Sequence, residues 1–495
     1  MIFDRKRGKR LTENNVMMQA FEWNLPDDGN YYQDLKKKAK DLKASGIDAL
    51  WLPPMFKATG TNDVGYGIYD LYDLGEFEQK GSIRTKYGTL EELKELIEEL
   101  HTQDIKVYAD VVLNHKAGAD FTEEFLAIEV DENDRTQEIS EAHNIEGWTG
   151  FNFPGREGQY SDFEWNFNHF TAVDYDQAND QSGIFKIVGE NKDWSEGVSG
   201  EKGNFDYLMF ADIDHDHPDV RQELFNWGEW FVDFLPIDGM RFDALKHIQD
   251  QFIRDFIDQI ENKIDRDFYF FGEYWENDPD ENNQYLYETK YHTDLFDVGL
   301  HFNLVEAAQN TDNYDLRKIF DNSLVQEHPL LAVTFVDNHD SQPGQSLESF
   351  VAPWFKKIAY SLILLRKDGY PCIFYGDYYG LAGENPIEGQ KEMIDQLIQI
   401  RKDYAYGDQS DYMESEDLIA WVRHGNEEHP GSLAVLISTG EAKTLTMNVG
   451  DDQAGKIYVE LTGDNDGEVE IDEAGNGNFE VGPGTMTAWA EKIGK

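Results

Sequence analysis

Eight short apolar runs separated by stretches of helical period constrain the fold of this chain more than any other feature. They begin at Val16, Ile47, Ile105, Ile237, Phe268, Leu295, Leu331 and Tyr370. Most are apolar almost without a break, the pattern of strands buried on both faces of a parallel sheet. Strands are expected at 16–21, 47–52, 105–113, from 237, and at 268–274, 295–302, 331–336 and 370–375. Between the first two, Leu35, Ala39 and Leu42 fall on one face of an expected helix over 31–44, which Gly46 closes. Thr89 and Glu92 form a capping box ahead of Leu93, Leu96, Ile97 and Leu100. Further helices are expected over 220–234 and 251–264. Eight parallel strands with crossover helices predict an α/β fold, a (β/α)8 TIM barrel, whose chemistry sits at the C-terminal strand ends.

Two regions break the alternation. From Asn114 to His217 the chain is rich in Asp, Gly, Trp, Tyr and Phe and has little helical period; a connection of that length forms a subdomain or carries function. After about Lys402 the period shortens to two, with Leu445, Met447 and Val449 and then Ile457, Val459 and Leu461 alternating with polar residues. That tail predicts a C-terminal antiparallel β-sandwich. The expected domains are barrel over 1–113, an inserted subdomain over 114–217, barrel again over 218–402, and the β domain over 403–495.

The chain carries 98 acidic against 43 basic residues, a net charge of −55. So negative a chain is not expected to bind nucleic acid or an anionic membrane. Its acids lie along periodic segments, as in 91–100, and self-repulsion of this size needs counter-ion screening. Adaptation to high salt is the expectation, with plain solubility as the alternative. The lone Cys372 excludes an internal disulfide and a thiolate cluster. Met1 to Asn15 is charged and no apolar stretch reaches membrane-spanning length. The expectation is a cytoplasmic protein, a mature secreted form being the alternative.

The ends of the runs hold the chemistry. Asp110-Val111-Val112-Leu113-Asn114-His115, Arg241-Phe242-Asp243, Gly272-Glu273-Tyr274-Trp275 and Phe335-Val336-Asp337-Asn338-His339-Asp340 each place an acid there, and two add a histidine. In an extended chain Arg241 and Asp243 share a face, and an adjacent guanidinium holds a carboxylate ionised. Glu273 has aromatic neighbours and nearby acids, both of which raise a carboxyl pKa. One ionised and one protonated carboxyl is the requirement of glycoside cleavage, with Asp243 as nucleophile and Glu273 as proton donor. A strand-end salt bridge accounts for Arg241 and Asp243 alone but not for four such ends together.

These four segments resemble the conserved regions of the α-amylase family, glycoside hydrolase family 13. Asp63-Val64-Gly65-Tyr66-Gly67, Tyr87-Gly88-Thr89 and Asp206-Tyr207-Leu208-Met209 resemble the bacterial liquefying members in particular. The resemblance implies endo-hydrolysis of α-1,4-glucosidic bonds in starch, glycogen and related α-glucans, with retention. It makes Asp243 the nucleophile, Glu273 the acid/base and Asp340 the third acid. His115 and His339 fall on sugar-binding positions, Tyr66 on a stacking aromatic, and Lys246, His247 and Trp275 on contacts beyond the scissile bond, with Arg241 as the charge partner.

Asp212-Ile213-Asp214-His215-Asp216 places alternate carboxylates on one side of an extended chain, a geometry suited to calcium. The resemblance adds Asn114, Asp206, Asp212 and the His247 carbonyl as a calcium site joining insert to barrel. It also implies further cations, sodium among them, at Asp193, Asp214 and Asp216, although Thr171 stands where those relatives carry an aspartate. A monomer is expected. The rival readings are a transglycosylase, a maltooligosaccharide-forming amylase or an exo-acting glucosidase of the same family, and a catalytically dead sugar-binding member. An isomerase or aldolase on this barrel would need a phosphate-binding signature.

Overall fold

The computed structural model describes residues 14–311, 313–383, 385–463 and 466–491. The charged N-terminal stretch read above therefore lies almost wholly outside the described residues. Eight parallel strands close into a barrel: β1 (Met17–Gln19), β2 (Ala49–Leu52), β3 (Lys106–Val111), β4 (Gly239–Phe242), β5 (Tyr269–Gly272), β6 (Asp294–Phe296), β7 (Ala332–Phe335) and β8 (Tyr370–Phe374). Each falls within or beside an expected run. All but Lys106 among these strand residues are buried, as expected for strands that face side chains inside and helices outside.

The helices follow their signals. Tyr31–Ser45 buries Leu35, Ala39 and Leu42 and ends at Gly46, whose φ of 98° is in the left-handed region that glycine adopts without cost. Leu90–Thr102 begins with the expected reciprocal cap between Thr89 and Glu92. The sixth run departs from expectation. The run 295–302 is not one strand: the chain leaves the sheet after Phe296, and Val298–Gln309 is helical. Asp297 makes the switch, its buried carboxylate accepting the N–H of Leu300 at 2.9 Å and those of Leu324 and Val325 at 2.9 and 2.8 Å. Continuous apolarity cannot separate a strand from a buried helix start.

The insert is a four-stranded antiparallel sheet, Phe121–Val130, His143–Gly150, Ala172–Asp176 and Gln181–Ile187. A two-residue ladder joins the two ends of the insert, where the chain leaves and rejoins the barrel, His115 pairing with Asp212 and Lys116 with Ala211. The tail holds a six-stranded antiparallel sheet and a two-stranded one, Lys443–Asn448 with Asn476–Val481. Leu418, Ala420, Val422 and Leu436 pack towards Met447, Phe479 and Trp489, whereas Ile419, Trp421, Val435 and Ile437 join the barrel's core. The large sheet is thus covered on both faces. In Ile457–Glu460 it is Tyr458 that enters the β domain's core, and Ile457 and Val459 are only half-buried. The expected alternation is one residue out of phase there: the side chain that enters the core is the tyrosine between the two aliphatic residues.

Candidate active site

Sheet register builds the site. On adjacent parallel strands Arg241 pairs with Asp110, so both side chains leave the same face. Phe242 pairs with Gly272, and one residue further on the Glu273 N–H donates to the Phe242 carbonyl at 2.9 Å, bringing Asp243 and Glu273 side by side. Gly272 is needed for closeness: a Cβ there would lie 2.3 Å from Leu245 Cδ1. Past Asp243 the chain turns through Ala244, whose φ of 53° is rare for a non-glycine residue and costs on the order of 1 kcal/mol or more. The turn carries Lys246 and His247 into the cleft as a short 3₁₀ helix, Leu245–His247.

Arg241 is fully buried and serves three carboxylates. It reaches Asp110 at 2.9 Å and Asp243 at 2.8 Å through Nη1, and Glu273 through Nη2. Trp51 Nε1 and the Tyr66 hydroxyl each donate to Asp110 at 2.9 Å. One guanidinium cannot balance this many buried acids, so some retain a proton. Burial, with repulsion from Asp243, Asp340 and Asp110, pushes Glu273 up to about 8 against the opposing pull of Arg241. Burial likewise raises Asp340 to about 7 and Asp110 to about 6.

Asp340 stands on a turn in which the Asn338 side chain accepts the N–H groups of Asp340 and Ser341 at 2.9 and 2.8 Å. Beneath it Asp337 accepts the Ser341 hydroxyl at 2.7 Å and the buried Lys356 ammonium. Lys356 also binds Asp377 at 2.7 Å, and Asp377 accepts the Tyr360 hydroxyl at 2.8 Å. His339 takes a hydrogen bond at Nδ1 from the Gln19 amide at 2.9 Å, and its Nε2 lies 3.3 Å from Asp340. Burial, reinforced by Arg241, lowers its pKa and keeps the ring neutral. His115 is also held neutral by burial, and its Nε2 donates to the Tyr66 carbonyl at 2.8 Å.

Tyr66, His115, Asp243, Lys246, His247, Glu273, Trp275, His339 and Asp340 line one cleft of about 390 Å³. Arg241 lies beneath its floor. Lys246 spans the seam between barrel and insert, bonding Glu276 at 2.8 Å and Glu201 at 2.6 Å. Trp23 also lines the cleft and lies nearly parallel to Tyr66 and His339, at interplanar angles of 8° and 9°. Trp23, Gln19 and Glu201 were not among the expected site residues, and Asp110 was read only as one strand end among four. Trp23 had a signal in the sequence, since it lies just beyond the first expected strand.

The expected metal ligands divide. Asn114, Asp206 and Asp212 are buried where insert meets barrel. Asn114 Nδ2 donates to Asp212 at 3.3 Å, and His247 Nδ1 donates to the Phe205 carbonyl at 2.7 Å, drawing the 3₁₀ turn to the segment bearing Asp206. Asn114 Oδ1 and Asp206 Oδ1 are buried without a hydrogen-bond partner among the described residues. Burial raises both carboxyl pKa values, Asp206 to about 7, with repulsion between the acids adding to it. Orphaned oxygens on repelling buried acids fit a hard dication.

The further positions do not fit. Asp193 has a side chain 79 % exposed and pairs with Lys186 at 3.3 Å, Asp214 is paired with Lys192, and Asp216 accepts from Gln249 at 2.8 Å. Thr171 donates its hydroxyl to Asp212. Among the described residues no close group of three carboxylate or imidazole donors includes Asp193, Asp214 or Asp216. His169, His217 and Asp219 do form such a group. Both imidazole Nδ1 atoms, however, accept a backbone N–H. That places the remaining proton of each neutral ring on Nε2 and leaves no nitrogen for a metal.

Comparison with known proteins gives the family. Residues 31–417 match the family described as alpha amylase, catalytic domain. The chain is 47% identical over 481 residues to a glucan 1,4-alpha-maltohexaosidase of Bacillus sp. (strain 707), covering 97% of this chain and 93% of that protein. It is also 47% identical over 480 residues to an alpha-amylase of Geobacillus stearothermophilus, covering 97% and 87%. In fold it resembles the alpha-amylase of Geobacillus thermoleovorans solved with acarbose, with a TM-score of 0.66 and 18% identity over 98% and 99% of the two chains.

Proposed function

Since the chain belongs to the α-amylase family, glycoside hydrolase family 13, we propose that its cleft cleaves internal α-1,4 bonds of starch, glycogen and related α-glucans. In this reading Asp243 attacks the anomeric carbon while Glu273 gives its proton to the departing glycosidic oxygen. Glu273, now ionised, takes a proton from water, and that water displaces Asp243 from the same carbon. Two inversions give retention. Asp340 binds sugar hydroxyls beside His115 and His339, Tyr66 stacks on the sugar at the cleavage point, and Lys246, His247 and Trp275 hold the sugars beyond it.

The observation that carries this reading is the convergence of Asp110, Asp243 and Glu273 on Arg241, where burial and the neighbouring acids raise the Glu273 pKa. Calcium bound by Asn114, Asp206, Asp212 and the His247 carbonyl would supply the positive charge those acids lack and pin the insert to the barrel. We take 1–113 and 218–402 as the barrel, 114–217 as the insert and 403–495 as the β domain, and a monomer as the working unit. Among the described residues no helix is long and apolar enough to cross a membrane. The net charge of −55 supports adaptation to high salt.

The likeness to a glucan 1,4-alpha-maltohexaosidase, equal to that to an alpha-amylase, sets one alternative product pattern beside it. A time course on soluble starch separates them. Early loss of iodine staining with mixed oligosaccharides is expected, and a single small product from the first minutes would overturn endo-cleavage.

A further inference from the structure

Lys192 stands in the insert where a further metal ion would be expected. Its side chain is 6 % exposed, and that of its partner Asp214 is 7 % exposed. The ammonium donates to the backbone carbonyls of Asn168 and Phe170, the latter at 3.0 Å, and to Asp214 Oδ2. Two carbonyl oxygens and a carboxylate oxygen around one positive centre is the donor set of a hard cation. The other oxygen of Asp214 accepts the N–H groups of Asp216 and His217, both at 3.1 Å, so both of its oxygens are engaged. Next to Phe170, Thr171 brings a neutral hydroxyl that is spent on Asp212. One positive charge therefore meets one negative charge, and the Asp214 carboxylate needs no metal ion to neutralise it.

We propose that the Lys192 ammonium is a built-in cation that occupies the place of a further metal ion, so that this face of the insert holds one exchangeable cation. A tethered ammonium is not removed by a chelator and does not depend on the free concentration of any ion, as a bound metal does. The Lys192–Asp214 corner should hold together in calcium-free, sodium-free solution while the Asn114–Asp206–Asp212 corner loosens. The count of one rests on the reading of that second corner as the calcium site.

The test is bound calcium per chain, measured by equilibrium dialysis and elemental analysis in tetramethylammonium buffer. The wild-type chain is expected to hold one ion, and the double variant Thr171→Asp/Lys192→Ala at least one more. A double variant that binds no more than wild type would overturn the role given to Lys192, and so would two or more ions in the wild type. A wild type with none would refute the calcium site and with it the count of one, while the double variant's increment still decides the role of Lys192. Should the double variant fail to fold, Lys192→Ala alone decides by its melting midpoint. The midpoint should fall and recover with added sodium or calcium beyond the level that saturates wild type; a fall that neither ion reverses would count against the proposal.

Discussion

The strand-end cluster and the cluster under the insert are built from the same residue type and balanced in opposite ways. At the strand ends Asp110, Asp243 and Glu273 share Arg241, a charge that is fixed in place and never released. Under the insert Asp206 and Asp212 are as deeply buried, yet no guanidinium or ammonium reaches them among the described residues. A cluster with a covalent counter-charge is held together at any ion concentration, and its surplus acids are left to trade protons. A cluster without one must import its charge. The Asp337–Lys356–Asp377 group behind the catalytic turn is a third case: two carboxylates share one fixed ammonium, and burial with repulsion from Asp377 raises Asp337 to about 7.

The contrast breaks most visibly at the catalytic pair. Asp243→Asn and Glu273→Gln should each lower kcat on soluble starch by about 10³-fold or more, with circular dichroism and melting behaviour close to wild type; near-normal turnover in either variant would sink the assignment. Next in size is Lys356→Met. It strands Asp337 and Asp377 as buried charges and should cost about 3–5 kcal/mol in urea unfolding. Little change would mean that Lys356 is not what holds these two acids. Chelation should act on the insert and not on the strand ends. Excess EDTA should lower the melting midpoint by on the order of 5 °C, the scale of a ligand held far above its Kd, and an unchanged midpoint would remove the structural cation.

The pH response sharpens the other side of the comparison. Glu273 has its carboxyl pKa raised from 4.5 to about 8 by burial. The protonated form is present below that value and lost above it, so kcat/KM should fall about tenfold per pH unit on the alkaline side of about 8. For stability, between 4.5 and about 8 the native chain keeps a proton that the unfolded chain has released, so this group's contribution falls as pH rises through that window. An alkaline limb unmoved in a variant that alters the neighbours of Glu273 would place the controlling group elsewhere. The smallest effect is the most diffuse. Unfolding midpoints should rise with potassium chloride as the net charge is screened, and a steady fall with salt would contradict high-salt adaptation.

Much of this was legible in the chain itself. All eight barrel strands lie at or near the expected runs, because a strand covered on both faces must be apolar throughout. The pairing of Arg241 with Asp243 followed from strand alternation alone. Asp110 emerged as the hub's deepest acid only through register, since its partner lies 131 residues away. Asp297 hid a helix start inside an apolar run. Lys192 was invisible for a related reason. Its partners are two backbone carbonyls and an aspartate 22 residues on, so the spacing of aspartates suggested a metal where a lysine already stood.

The central claim, that the strand-end cluster sets Glu273 to donate a proton and Asp243 to attack, is tested most directly with maltooligosyl fluorides. Fluoride leaves without protonation, so only attack at the anomeric carbon is needed for its release. Glu273→Gln should release a first-turnover burst of fluoride close to the wild-type amplitude while remaining inactive on starch, and Asp243→Asn should show no burst. A Glu273→Gln variant as inert towards the fluoride as towards starch, or a burst from Asp243→Asn, would contradict the assignment.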